Sequence, residues 1–481
     1  MNKLVRLYGQ HKTFFNVTGL GILFYFIFFH NIGNYALMDV DETRYVSMAR
    51  DMFNTHDYMT LYLNGDYFFE KPPLYFWIEC FVFSVFGSIN EFTSRFPVVM
   101  MSLLPLILLF FLCKKVKDTK FAVISSLTLL TCVEYIFITK LAILDGILTS
   151  LVSSACLCYF FTFFVEDKNK KYFWILTYVL TGLSVMAKGI PGLAIPLGTI
   201  FFATILFKTY KETLKYSLLG ALIVLGIVLP WHVLMLKTYP NLFYSEYIYK
   251  HHILRFLGSE VIHRNQPWYF YILTLLWGTF PHVFVILEKI YQSVKERISA
   301  KNCKFEISLG DNFEKLIALS LIAFCVILLF FSSSKAKLIT YILPAYPFVA
   351  ILTGKIWMDY IENGNNIINK ILCGLTLFFG FIAFVMCFAG VVLPKNLYVD
   401  FRPIQFISIA VIVPFVILSL HALKNNKRFN TFLTLTVFIS VFVGLLTPFI
   451  YKLDYSFGQN DLMRFAKNLL LNNHLRRSLN L

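Results

Sequence analysis

The chain has 481 residues, of which 58% are hydrophobic and only 15% are charged, and its formal net charge is +16. Soluble domains are about 45–50% apolar and about 25% charged, whereas repeated apolar runs of roughly 18 or more residues are typical of transmembrane helices. The composition therefore excludes an ordinary soluble domain and indicates a polytopic membrane protein. The positive charge does not indicate nucleic-acid binding, because the lysines lie in short segments between apolar runs.

Apolar runs predict an all-α protein with about thirteen transmembrane helices. They fall near 15–37, 92–113, 120–139, 141–165, 172–187, 190–207, 216–236, 268–288, 315–331, 338–357, 371–393, 404–423 and 431–451. A further run, 74–88, would extend only about 22 Å at 1.5 Å per residue, so it is predicted to be an interfacial or partly re-entrant helix. With that choice most Lys- and Arg-rich segments share the side of the N-terminus, which the positive-inside rule places in the cytoplasm.

Under this topology residues 38–73 lie outside the membrane and carry seven acids against three bases. Asp41 is a good N-cap for a helix over about 42–54, and Arg44 would lie near it across the first turn. One face of that helix is apolar, so the helix is predicted to lie flat on the membrane. The stripe consists of Tyr45, Met48, Ala49, Met52 and Phe53.

Several charged side chains lie at the outer ends of spans, against the positive-inside trend. They are Lys71, Lys140, Asp145, Lys188, His263, Arg264, Lys335 and Lys337. A lysine at membrane depth costs about 2.5–3.5 kcal/mol, so such residues point to function. Together they predict a basic, outward-facing pocket for a phosphate-bearing lipid. The simpler alternatives are that Asp41 is only a cap, that Asp145 pairs with Lys140, and that single lysines anchor the protein at the interface.

Seven motifs occur in order along the first 350 or so residues. They are MDVDETRY, NGDYFFEKPPLYFW, TSRFP, LAILDGILT, MAKGIPGL, HRNQPWYFY and SKAKLITYILPAYP. This series resembles the C-type (GT-C) membrane glycosyltransferases of the protein O-mannosyltransferase superfamily, and within it the bacterial lipid A aminoarabinose transferase group. The resemblance implies a membrane core over 1–357 with outer loops 38–91 and 237–267. It leaves 358–481 as further spans and a short external tail.

The resemblance also implies roles for individual residues. Asp41 would be the catalytic carboxylate and Asp145 a second acid in the pocket. The donor phosphate would be held by Arg44, Lys71, Lys188, Tyr341 and Lys337. Glu70 and His263 match positions that can hold a divalent ion such as Zn, Mg or Mn, although tight sites typically have at least three protein ligands. Phe68 stands where the group often has Tyr.

The function implied is an inverting transfer of a sugar, in particular an amino sugar, from a polyprenyl-phosphate donor to an outer-leaflet glycolipid such as lipid A. It would take place at the periplasmic face of a bacterial inner membrane. Cations would stabilise the departing phosphate. Asp41 would act as general base if the acceptor is a hydroxyl, or would position the acceptor or the sugar amine if the acceptor is a phosphate.

Two other functions fit parts of the sequence. A protein O-glycosyltransferase would use the same donor class with a different acceptor. A transporter or flippase for lipid-linked sugars typically has internal repeats with broken helices at matching positions. The sequence shows no such repeat, and its polar residues gather at one membrane face, so an interfacial enzyme is favoured.

Overall fold

The computed structural model describes residues 12–38, 40–254, 265–299, 310–392 and 402–456. Within these ranges the fold is all-α apart from one two-stranded hairpin, as predicted. The chain begins with α1, Lys12–Phe24, which continues as a π-helical turn over Tyr25–Phe29. Residues 41–86 then contain α2 Asp41–Thr55, β1 Tyr62–Leu63, β2 Asp66–Tyr67 and α3 Leu74–Phe86.

The remaining elements form the membrane bundle. Its first helices are α4 Glu91–Val116, α5 Thr119–Leu130, α6 Val133–Ile138, α7 Leu144–Phe161, α8 Asp167–Lys188, α9 Ile190–Phe207, α10 Tyr210–Thr238 and α11 Pro240–Phe243, followed by a π-helix over Tyr244–Leu254. Then come α12 Phe270–Gly278, α13 Val283–Ser299, α14 Asn312–Ser333, a 3₁₀ helix over Ile339–Ala345, α15 Tyr346–Asn363, α16 Asn366–Val392, α17 Arg402–Lys424 and α18 Arg428–Ser456.

Six helical stretches in the described ranges are long and apolar enough to cross a membrane. They are Glu91–Val116, Leu144–Phe161, Ile190–Phe207, Tyr210–Thr238, Asn312–Ser333 and Ile339–Asn363. Two predicted spans are interrupted: 120–139 divides into α5 and α6, and 268–288 divides into α12 and α13. The second break contains Pro281, which has no backbone N–H to continue a helix. The short run at 74–88 forms α3, a helix of 13 residues.

The helix predicted over 42–54 is present as α2, but two expectations for it are wrong. Val40 is its N-cap residue, and Asp41 is the first helical residue with no capping hydrogen bond. The apolar stripe does not face lipid, because Tyr45, Met48, Ala49 and Met52 are buried. They pack against α3, where the Tyr45 and Tyr75 rings are 5.7 Å apart and the Cys80 thiol donates to the Ala49 carbonyl at 3.4 Å.

The hairpin that precedes α3 has a turn sequence suited to its geometry. Tyr62 pairs with Tyr67 and Leu63 with Asp66 in an antiparallel register. The two turn residues, Asn64 and Gly65, both have positive φ, at 54° and 90°. Asn-Gly is the preferred sequence for a turn of this kind, because both central residues adopt the left-handed region.

Helix α7 lies at the centre of the bundle. All of its residues except Asp145 are buried. A helix that is enclosed on every side is typical of the core of a large protein. A Cβ at Gly146 would lie only 2.3 Å from the Val98 side chain, so α7 and α4 approach closely at this point. The rigid core therefore fixes the position of Asp145 at the start of α7.

Candidate active site

Glu42, on the first turn of α2, and Arg95, on α4, form a buried ion pair. Arg95 Nε donates to Glu42 Oε1 at 2.9 Å and Arg95 Nη2 donates to Oε2 at 2.8 Å. The two side chains are 1% and 0% exposed. A buried charge is tolerated only when it is paired and hydrogen-bonded, and the bidentate geometry meets that condition.

The remaining hydrogen-bonding capacity of the pair is also used. Arg95 donates to the carbonyls of Ile32, Tyr35 and Ala36 at 2.8–2.9 Å. Its five N–H groups therefore all have acceptors. Glu42 accepts from the backbone N–H of Met38 at 2.7 Å and of Ala142 at 2.6 Å. The pair thus ties the segment before Asp41 to α4 and to the loop that leads into Asp145.

Asp145 is the centre of a second polar group. Its Oδ1 forms an ion pair with the Lys188 ammonium at the end of α8. Its Oδ2 accepts from the Thr340 hydroxyl at 2.8 Å. The Lys188 ammonium also lies 4.0 Å from the centre of the Tyr341 ring, within cation–π distance. The alternative in which Asp145 pairs with Lys140 is wrong, because Lys188 is its ion-pair partner.

Arg44 is the centre of the third polar group, on the first turn of α2. Its Nη2 donates to Asp41 Oδ1 at 3.4 Å and to the Tyr45 hydroxyl at 3.3 Å. Its guanidinium carbon is 6.0 Å from the centre of the Phe68 ring, and it interacts electrostatically with Glu70. Partial burial opposes the charge of Arg44, but Tyr45 and Glu70 outweigh that effect and hold its pKa above the ordinary value.

Electrostatic interactions link these groups into one cluster. Lys71 is buried and its charge acts on Asp145. Burial raises the pKa of the Tyr45 phenol above its ordinary value; Arg44 lowers it, and the charges of Asp145 and Asp41 raise it further. Tyr45 therefore remains a neutral phenol between the two carboxylates at physiological pH. Asp41 is the most accessible acid of the cluster, with 48% of its side chain exposed.

The structure thus brings together Asp41, Arg44, Glu70, Lys71, Asp145, Lys188 and Tyr341. It places Lys337 differently, because the Lys337 ammonium donates to the carbonyl of Gln266 at 3.1 Å and to the carbonyl of Ser334. Burial lowers the pKa of Lys337. Lys337 therefore joins the segment before α12 to the segment before the 3₁₀ helix, in addition to its predicted phosphate role.

Of the two residues predicted to hold a divalent ion, the structure describes only Glu70. Glu70 lies beside Arg44, whereas His263 lies outside the described residues. In the part of the chain that the structure describes, no group of three or more His, Cys, Asp or Glu side chains is arranged to hold a metal ion. The described residues alone therefore do not form a metal site.

Sequence reasoning missed four contributors. From the sequence, Glu42 is only one of the seven acids in residues 38–73 and Arg95 is only part of the TSRFP motif, so their pairing is not predicted. Tyr45 was assigned to an apolar stripe, and Thr340 carries no charge that would single it out. The one available signal was that Arg95 lies within the apolar run 92–113, because an arginine in such a run is almost never fully buried unless it is paired.

Known proteins with similar sequences bear on this arrangement. The family model for dolichyl-phosphate-mannose-protein mannosyltransferase matches residues 70–233. An undecaprenyl phosphate-alpha-4-amino-4-deoxy-L-arabinose arabinosyl transferase from Photorhabdus laumondii is 27% identical over 85% of this chain and 71% of its own length. The protein of that name from Enterobacter sp. strain 638 is 31% identical over 66% of this chain and 55% of its own length.

The fold is similar to that of a solved relative. The crystal structure of ArnT from Cupriavidus metallidurans bound to undecaprenyl phosphate superimposes with a TM-score of 0.70 at 19% identity, covering 92% of this chain and 78% of that one. The chain is therefore similar in sequence to the dolichyl-phosphate-mannose-protein mannosyltransferases over residues 70–233 and to the aminoarabinose transferases over a larger part of its length. The relationship predicted from the seven motifs is thereby confirmed.

The residues matched by the mannosyltransferase family model include much of the charged cluster. Lys71, Asp145 and Lys188 lie within the matched residues 70–233, and Asp41 and Arg44 precede them. The chain spans 71% and 55% of the length of the two curated relatives. Substrates that are known for whole relatives are therefore a matter for proposal in this chain.

Proposed function

We propose that this chain is an inverting membrane glycosyltransferase that moves an amino sugar from a polyprenyl-phosphate donor to an outer-leaflet glycolipid such as lipid A. The observation that carries the proposal is the cluster in which Arg44, Lys71 and Lys188 surround Asp145 and Asp41. The three cations suit a phosphate leaving group, and the two carboxylates beside them suit an acceptor that must be oriented. The names of the relatives support the donor class.

The reaction breaks the bond between the sugar anomeric carbon and the phosphate oxygen. The electron pair leaves with the polyprenyl phosphate, and the acceptor oxygen forms the new bond from the opposite face. Lys188, Arg44 and Tyr341 stabilise the charge that develops on the phosphate, because cationic and hydrogen-bonding groups fixed in a water-poor site stabilise such charge strongly. Lys188 is held ready by its ion pair with Asp145, which is itself held by Thr340.

Asp41 is placed to act on the acceptor. Its carboxylate is the accessible one, and Arg44 restrains it at 3.4 Å. A hydroxyl acceptor transfers its proton to Asp41, a contribution worth roughly 10²–10⁴-fold in rate. A phosphate acceptor is already ionised, and Asp41 then binds the ammonium of the amino sugar instead.

The proposal extends to the membrane arrangement and the metal. The chain would have about thirteen spans in a bacterial inner membrane, with the N-terminus cytoplasmic and the cluster periplasmic. Residues 1–357 would form the catalytic core and 358–481 the C-terminal spans with a short external tail. A divalent ion held by Glu70 and His263 is proposed only as a donor-phosphate ligand. Loss of transfer on chelation with restoration by Zn, Mg or Mn would support it, and unchanged transfer would contradict it.

Mass spectrometry of lipid A from cells with and without the gene tests the function. An added mass of an aminopentose or hexosamine is expected in the wild type. It is expected to vanish in the deletion and in a strain carrying Asp41→Ala at normal membrane level. An unchanged lipid A profile would contradict the glycolipid acceptor. Glycopeptides that change instead would indicate protein O-glycosylation, and donor accumulating on the cytoplasmic side would indicate a flippase.

A further inference from the structure

A polar cavity lies at the end of α15 away from the charged cluster. It has a volume of about 280 Å³ and lies between α13, the last turn of α15 and the first turn of α16. Thr340 and Tyr341 precede α15, so the active site lies near its first residue. Helix α15 has 18 residues, and at 1.5 Å per residue its two ends are about 27 Å apart. The cavity is therefore separate from the active site and near the opposite membrane face.

The cavity walls carry both signs of charge. Glu288 is only 7% exposed and accepts from the Gln292 amide at 2.6 Å and from the Asn365 amide at 3.4 Å. The Lys289 ammonium lies 3.9 Å from the Asp359 carboxylate. Two carboxylates, one ammonium and several side-chain amides therefore line the cavity. A ligand that complements these walls needs a cationic group and an anionic group.

An apolar stripe runs along α13 beside the cavity. Its members recur every three or four residues and are exposed: Leu287, Ile290, Tyr291, Val294 and Ile298. Glu288 and Lys289, which line the cavity, directly follow Leu287, so the stripe runs beside the cavity. A helix with an exposed apolar face and a charged face lies in the headgroup region with its apolar side toward the acyl chains. The surroundings of the cavity thus suit an amphiphile.

We propose that this cavity binds the headgroup of a zwitterionic phospholipid whose acyl chains lie along the apolar stripe of α13. The headgroup that fits is an amine-bearing phosphodiester such as phosphoethanolamine. Its ammonium would bind Glu288 and Asp359, and its phosphate would bind Lys289 and the amide donors. An anionic lipid without an amine would bring its charge against two carboxylates and one cation, which is unfavourable at these short distances. The volume lies near the lower limit for ligand sites and suits a small headgroup.

Native mass spectrometry of the purified full-length protein tests this site. The protein is exchanged into micelles that contain equal amounts of phosphatidylethanolamine and phosphatidylglycerol with identical acyl chains. We expect the wild type to retain the ethanolamine lipid about tenfold more than the glycerol lipid, as charge-assisted hydrogen bonds of ordinary strength predict. The double variant Glu288→Gln/Asp359→Asn is expected to retain the two lipids equally.

Glu296→Gln is the matched control, because Glu296 is exposed on the same helix, eight residues further along, and does not line the cavity. It is expected to keep the wild-type preference. Monodisperse protein with unchanged sugar transfer shows that a variant is folded. If the double variant does not fold, Lys289→Ala serves in its place, and it is expected to lower the retention of the ethanolamine lipid.

Three results would overturn the proposal. The first is equal retention of the two lipids by the wild type, and the second is an unchanged preference in the variants that alter the cavity. The third is displacement of the lipid by equimolar glycerophosphoethanolamine, which would show that the site takes a soluble headgroup compound without need of the acyl chains. Displacement only at a large excess supports a lipid site.

Discussion

The variant Arg95→Met tests the buried Glu42–Arg95 pair, which ties the segment before Asp41 to α4. The substitution replaces the guanidinium by an apolar side chain, so the Glu42 carboxylate loses its bidentate partner. Glu42 is only 1% exposed, so water cannot take the place of that partner. The substitution also removes the donor from three backbone carbonyls. We expect the segment before Asp41 to detach from α4, so that both stability and transfer are lost.

The size of the expected loss of stability follows from the burial of the Glu42–Arg95 pair. Removing one partner of a buried ion pair costs about 3–5 kcal/mol, because the other charge remains in a low-dielectric site. A further 1 kcal/mol or so applies for each buried carbonyl that is left unsatisfied. The sum is comparable to the whole stability of many domains, about 5–15 kcal/mol. The double variant Glu42→Gln/Arg95→Met is expected to be less unstable than the sum of the two single variants, because it leaves no buried charge.

Thermal unfolding in detergent, followed together with the yield of monodisperse protein, measures the effect. Arg50→Met is the matched control, because Arg50 pairs with Asp51 at 3.2 Å while both side chains are about half exposed. Such a pair contributes only about 0–1 kcal/mol. An Arg95→Met protein that unfolds at the same temperature as Arg50→Met would refute the supporting role of the Glu42–Arg95 pair.

Three further predictions concern the neighbouring polar groups. Lys188→Met leaves Asp145 without its ion-pair partner and is expected to lower kcat by about 10²-fold or more; single-turnover kinetics that match the wild type would contradict this. Thr340→Val removes one hydrogen bond to Asp145 and is expected to lower kcat/KM by about tenfold; an unchanged kcat/KM would show that this bond has no role. Burial lowers the pKa of Lys140 to about 8, so between pH 8 and 10 the unfolded chain binds more protons than the folded protein, and thermal stability is expected to rise as the pH increases. Lys140→Met is expected to remove that rise. A rise of the same size in the variant would exclude Lys140 as its source.

Much of the charged cluster could be predicted from the sequence. Charged residues are costly at membrane depth and rare in apolar runs, so Asp145 and Lys188 stand out. Asp41 and Arg44 are close in sequence and lie on one helical turn, which predicts their contact. The all-α class follows from the apolar runs, because a membrane span must satisfy its backbone hydrogen bonds internally and an α-helix does so within one segment.

The partners of these residues could not be predicted. Asp145 is 5 residues from Lys140 and 43 residues from Lys188 in the sequence, yet the fold pairs it with Lys188. Glu42 and Arg95 are 53 residues apart. Which of several cations meets a given acid depends on how the helices pack, and helix packing leaves no local pattern in the sequence.

The error at α2 has a different cause. An apolar stripe at helical spacing shows only that one face of a helix avoids water. Lipid and the face of another helix satisfy that stripe equally, and α3 covers it in this fold. The breaks between α5 and α6 and between α12 and α13 were not predicted, because each segment is mostly apolar and long enough to be read as one span, although Glu134 lies in the first and Pro281 in the second.

Reconstituted transfer tests the central claim most directly. Purified protein is mixed with a synthetic undecaprenyl-phosphate amino sugar and with lipid A, and the product is measured by mass spectrometry for the wild type and for Asp41→Asn. The account predicts that the wild type forms amino-sugar-modified lipid A with inverted anomeric configuration. It predicts that Asp41→Asn binds the donor but transfers at least about 10²-fold more slowly. Transfer at the wild-type rate by Asp41→Asn, or no transfer by the folded wild type, would contradict it.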